Sequence, residues 1–112
     1  MNGALREAAR DAVVYEVNLA IDAEIADAYR AWLATHMQEI CALPGFTGAR
    51  VFAVQEPAPD AGRIGLCVQY TLLDQAALDA YLRDHAPRLR AEGMARFGGR
   101  FTATRRVLHA LG

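Results

Sequence analysis

Two histidines, His36 and His85, fall on the apolar stripes of two separate amphipathic segments. Imidazole changes charge near neutral pH, so two of them facing one region could orient a ligand or shuttle a proton. Tyr15, Trp32, Tyr70 and Tyr81 sit on the matching faces of their own segments and would wall the same region. Arg105 stands where strand alternation turns it toward that region, and a guanidinium there would anchor a carboxylate or phosphate. His36, His85 and Tyr81 are therefore the candidate catalytic groups. Tyr15, Trp32, His36, Tyr70, Tyr81, His85 and Arg105 are the candidate ligand-binding set. A plainer reading stands beside this one: two histidines at the edge of the core, bonded to backbone or to a tyrosine hydroxyl.

Other chemistries find little support. The chain has no serine, and all twelve of its basic residues are arginine, so a serine nucleophile and a lysine Schiff base are both excluded. Cys41 and Cys67 are far apart and form no C-x-x-C, which points to free thiols in a reducing cytoplasm. No third ligand stands at a diagnostic spacing from the histidines, so neither a metal nor another cofactor is expected. Gly98-Gly99 precedes a strand rather than a helix, and so is no phosphate loop. Seven of the arginines fall between Tyr81 and Leu108, where Asp84 and Glu92 dilute them. Arg105 is the one to watch in that group, because a cation under helices needs a partner. A net charge of −1 argues against nucleic acid. No apolar run reaches the length of a membrane span, and the arginine-containing start lacks the apolar stretch of a secretory signal.

The elements that would position these residues follow from periodicity. Residues 1–12 show little apolar pattern and read as a mobile segment ahead of a single domain over 13–112. Residues 13–21 alternate, with Tyr15, Val17, Leu19 and Ile21 on one face. Asp22 is placed to cap a helix whose core stripe is Ile25, Tyr29, Trp32, His36 and Ile40. Leu43-Pro44-Gly45 stops it. Strands follow at 46–55 and 63–73, joined by the proline-rich turn EPAPDAG. Asp74 caps a second helix with the stripe Leu78, Tyr81, Leu82, His85 and Leu89. Pro87 must kink that helix or restart it, because it removes an N–H. Residues 100–108 form the last strand.

The order β-α-β-β-α-β gives an α+β, ferredoxin-like fold: a four-stranded antiparallel sheet in spatial order 4-1-3-2, with helices on one face. The other face carries Val14, Glu16, Asn18, Gly65, Cys67, Gln69, Thr71, Thr102, Thr104 and Arg106. Strand two adds either Phe52 and Val54 or Val51 and Ala53. That mixture is too apolar for an open surface and too polar for a dry core, and it suits a homodimer packed sheet on sheet. Pairing the centres of the first and last strands brings Glu16 to Arg106. As a partly solvated cross-strand pair, it would be worth about 0.2–1 kcal/mol.

Three motifs carry a family resemblance: VVYEVNLAIDAEIADAYRAWLATHMQEICALPGF at 13–46, LDAYLRDHAPRLRAEGMARFG at 78–98 and RFTATRRVL at 100–108. They resemble a bacterial family of unknown function within the dimeric α/β-barrel proteins. The resemblance implies a ferredoxin-like protomer and a barrel built from two sheets. More distantly the chain is similar to antibiotic-biosynthesis monooxygenases, haem-degrading monooxygenases, EthD-like proteins and stress-responsive barrel proteins. These use the space between helices and sheet for small, often aromatic ligands. Their catalytic motifs do not map onto this chain residue by residue, so activity transfers only as an analogy of fold. Three functions compete: a dimer that binds a small aromatic or acidic ligand, a cofactor-independent monooxygenase- or isomerase-like enzyme in the same cleft, and a non-catalytic assembly or regulatory module.

Overall fold

Alternation builds the first strand and places it at the centre. A computed structural model describes residues 11–111; the first ten positions of the expected mobile segment lie outside the described residues. β1 is Val13–Asp22, followed by a 3-10 turn, Ala23–Ile25, and helix α1, Ala26–Cys41. β2 is Phe46–Ala53 and β3 is Arg63–Leu72. Helices α2, Gln75–Asp84, and α3, Ala86–Phe97, lead into β4, Phe101–His109. The sheet order is β2-β3-β1-β4 and all its pairings are antiparallel, as the sequence implies. The break at Pro87 is a restart: α2 and α3 are separate, and Pro87 sits in the first turn of α3, where a missing N–H costs nothing.

The core lies between the sheet and the helices. Val13, Tyr15 and Leu19 stand opposite Leu72, Tyr70 and Leu66 across the β1–β3 ladder, and Ile21 and Val68 join them in the core. Leu78, Tyr81, Ala86, Leu89 and Phe97 cover them from α2 and α3. On α1 the buried seam is Tyr29, Leu33 and Ile40. The expected stripe is thus rotated by part of a turn. Trp32 and His36 ride on its flank, half-buried, while Leu33 takes the central place.

Two predicted caps behave differently. The Asp74 carboxylate accepts a hydrogen bond from the Ala77 backbone N–H at 2.9 Å, as expected of an N-cap. Asp22 makes no cap bond. Its carboxylate instead accepts from Arg63 at 3.1 Å and Arg100 at 2.8 Å, tying together the ends of β1, β3 and β4. Two guanidiniums compete better for a carboxylate than a neutral backbone N–H does. They hold its pKa below the usual carboxylate value, the Arg100 hydrogen bond most of all.

The outer sheet face holds the predicted pair. Glu16 stands opposite Arg106 on β4 and Gln69 on β3. Its carboxylate accepts from Arg106 Nε at 2.6 Å, Asn18 Nδ2 at 2.9 Å and Gln69 Nε2 at 3.0 Å. Glu16 is only 2% exposed, although among the described residues no second layer covers this face. Its own neighbours shield it, so the expected half-solvated pair is instead a fully bonded acid under an exposed arginine. Those hydrogen bonds, led by Arg106, outweigh desolvation and lower its pKa to about 2. The β2–β3 register settles the strand left open: Phe52 pairs with Cys67 on the outer face, while Val51 and Ala53 turn toward the helices.

Candidate functional site

Between helices and sheet, two aromatic clusters meet at a cleft. One is Tyr15, Tyr70, Tyr81 and Phe46, where Tyr15 and Tyr81 meet edge to face at 5.8 Å and Phe46 and Tyr81 at 5.1 Å. The other gathers Tyr29, Trp32, Phe97 and Phe101, with Tyr29 5.0 Å from Phe97 and 5.2 Å from Phe101. Such pairs add about 0.5–1.5 kcal/mol beyond burial and fix the ring orientations. His36 stacks on Trp32, with centroids 4.4 Å apart and planes at 20°. The spacing of four on α1 produces this stack. Gly93 of α3 lets the indole come close, since a Cβ there would stand 3.1 Å from the ring.

Beside the guanidiniums of Arg90 and Arg105, the cleft offers neutral donors and one neutral base. Burial lowers the His36 pKa, against the weaker pull of Glu39 and Glu92, so the imidazole is uncharged at neutral pH. Neither of its ring nitrogens has a hydrogen-bond partner among the described residues. Burial pushes Tyr29 and Tyr81 up to about 12 and Tyr70 higher still, so all three keep their protons. Arg90 donates to the Tyr15 hydroxyl oxygen at 2.8 Å, which leaves that hydroxyl's own proton to point elsewhere. The cleft has a volume of about 60 Å³. Burial also raises the thiols of Cys41 and Cys67, so neither is primed as a nucleophile.

Six of the seven expected site residues line this cleft: Tyr15, Trp32, His36, Tyr70, Tyr81 and Arg105. His85 is not among the lining residues. It occupies the junction of α2 and α3, where its φ of −128° departs from the helix. Arg105 does lie opposite Val17 on the helix-covered face, but it is exposed. Water therefore solvates it, and the partner expected for a cation under helices is not required. Sequence reasoning missed Arg90, counted only as one of the seven arginines between Tyr81 and Leu108, and Gly93, whose role appears only when Trp32 is placed. Tyr29 was on the expected stripe, yet nothing in its spacing set it apart from ordinary core. Among the described residues no three His, Cys, Asp or Glu side chains converge as a metal site would need.

Strand order, pairing and one-sided helices define a ferredoxin-like α+β protein. Residues 12–111 match the family described as Domain of unknown function (DUF4286). The chain belongs to that family. Solved structures share its fold at low identity. A variant of SnoaB, a cofactor-independent oxygenase from Streptomyces nogalater, has a TM-score of 0.67 at 14% identity, covering 91% of this chain and 95% of that one. A candidate antibiotic biosynthesis monooxygenase from Deinococcus radiodurans gives 0.66 at 16% identity, over 88% and 91%. An EthD-family protein from Bacillus halodurans gives 0.59 at 20%, over 84% and 96%. At these identities the likeness is one of fold. A search of curated proteins returns no match. No helix among the described residues is long and apolar enough to cross a membrane.

Proposed function

We propose that this protein binds a small planar molecule, aromatic or acidic, in the cleft between helices and sheet, and does so as a homodimer paired through the outer sheet face. The observation that carries the binding reading is the convergence of Tyr15, Tyr81, Trp32, His36 and Arg90 on one cleft. The protonated Tyr81 hydroxyl and an imidazole without a hydrogen-bond partner among the described residues offer directional contacts within aromatic walls, the usual make-up of a small-molecule site. At about 60 Å³ the cleft holds a few waters. A ring is admitted when Arg90 releases Tyr15 or the half-exposed indole of Trp32 turns outward, and Arg90 or Arg105 then meets an acidic substituent.

The dimer rests on the outer face. Val14, Cys67, Phe52 and Val54 make it partly apolar, and Glu16 is already bonded on both oxygens. A second sheet can cover such a face without stranding a charge. Residues 13–112 then act as one domain, and a cytoplasmic location suits the two free thiols.

A second reading has one observation in its favour. His36 is neutral, without a hydrogen-bond partner among the described residues and at the cleft wall, which is the state of a general base. With the tyrosine hydroxyls as donors, the site could run a cofactor-independent oxygenation or isomerisation, the first of these being the activity named for SnoaB.

Thermal shift tests the binding reading, with aromatic acids and quinone-type compounds as the panel. A ligand specific for the folded state raises Tm. The expected hit is lost in His36→Ala and kept in His85→Ala, because only His36 lines the cleft. Silence across the panel, or an equal shift in both variants, overturns the cleft as the site and favours the assembly module. Sedimentation reads the dimer directly, and a protomer at all concentrations would refute it.

A further inference from the structure

On the other side of Leu33 lies a larger hollow, separate from the aromatic cleft. It runs along α1 from Arg30 to Cys41, about 16 Å of helix axis. Its floor is β2 and the first half of β3, and its volume is about 820 Å³. That volume falls within the range of small-molecule sites. Side-chain size explains the space. α1 presents Ala34 to it, and β2 turns Ala49 and Ala53 toward the helices, all too short to bridge the layers. β2 is also an edge of the sheet, so among the described residues no further strand closes the flank.

Charge and wall chemistry say what would fit. Among the described residues no lining side chain is acidic and two are arginine, in a chain whose net charge is −1. Arg63 is occupied, since it donates to Asp22 at 3.1 Å and to Thr102 at 3.4 Å. Arg30 makes no hydrogen bond or ion pair among the described residues. The walls are aliphatic, with Leu33, Met37, Val51, Ile64 and Leu66 foremost; Phe52 belongs to the lining only at the β2 edge, since its side of the strand is the outer face. An apolar trough with an unengaged guanidinium at one end matches a ligand with the same asymmetry.

We propose that this groove is a second binding site, taking an elongated aliphatic molecule that ends in a single carboxylate. The carboxylate sits on Arg30 and the tail runs along α1 toward Cys41. The site does not depend on the aromatic cleft: the two share Leu33 as a wall, and His36 lines only the cleft.

Isothermal titration of the full chain with decanoate, below its micelle concentration, and with decanol tests this. Decanoate is expected to saturate one site. Arg30→Gln should weaken decanoate by about 5- to 10-fold and leave decanol unchanged, because only the charge-assisted bond is lost. Ala34 is exposed, so Ala34→Phe fills the groove without entering the core and should abolish binding of both. His36→Ala should alter neither, which separates this site from the cleft whether or not the cleft reading holds. The proposal is overturned by unsaturable decanoate binding, by equal affinity in Arg30→Gln, or by undiminished binding in Ala34→Phe. Binding that fades as protein concentration rises would mean that a second copy seals the groove, and overturns it as well.

Discussion

Replacing Glu16 by Gln removes one charge and almost no volume from the outer sheet face. In the wild type, one carboxylate oxygen accepts from Gln69 and the other from Asn18 and Arg106. Gln69 can turn its amide to meet the new NH2 group, so the loss is chiefly charge assistance rather than an orphaned group. The folded pKa is lowered from 4.5 to about 2. At full strength that shift corresponds to about 3.4 kcal/mol of stability. Arg106 is 63% exposed at its side chain, and only one layer of side chains covers the acid, so solvent screening cuts the contribution to about 1–2 kcal/mol.

The sign follows from the depressed value. The contribution is complete above pH 4.5 and is lost as pH falls through about 2. Urea unfolding of both proteins, at one protein concentration, should therefore show Glu16→Gln less stable by about 1–2 kcal/mol at pH 7. The gap should narrow steadily between pH 4.5 and pH 2. Equal stability at pH 7, or a gap that does not shrink in acid, refutes the reasoning. Arg106→Ala offers a companion test by NMR titration. The Glu16 pKa should rise, yet stay below 4.5, because Asn18 and Gln69 still donate to it.

Trp32 is the single tryptophan and stacks on His36, so its fluorescence reports the cleft. Its pH titration should show a midpoint below 6.5, because burial favours the neutral imidazole; a midpoint at or above 6.5 would contradict the buried stack. Gly45 has φ +87° and a Cβ there would stand 2.5 Å from the Ala77 Cβ. Gly45→Ala should therefore cost about 2 kcal/mol or more in urea unfolding, by backbone strain and overpacking together, and a neutral effect would disprove that close approach.

Local chemistry carried much of this protein. Strict alternation in residues 13–21 and 63–73 specified strands and their inner faces, because a strand's side chains have only two directions to choose from. The Glu16–Arg106 pair followed from the same rule, once antiparallel strands of similar length were laid centre to centre. Asp74 acts through its carboxylate on a backbone N–H three residues on, and Pro87 through its own ring, so both effects were local enough to be foreseen.

Packing decided the rest. A helix offers a wide apolar arc, and the sequence does not say which ridge docks; the sheet chose Leu33, which left Trp32 and His36 on the flank and made them accessible. Asp22 could cap a helix or bind arginines, and only the convergence of β3 and β4 brought Arg63 and Arg100 to it. His85 falls at the junction of α2 and α3, where its φ of −128° departs from the helix, and it does not line the cleft, while Arg90 reached Tyr15 across 75 residues of sequence. The groove beside α1 is a matter of absence: alanines on two separate elements make a cavity only where the fold sets them face to face.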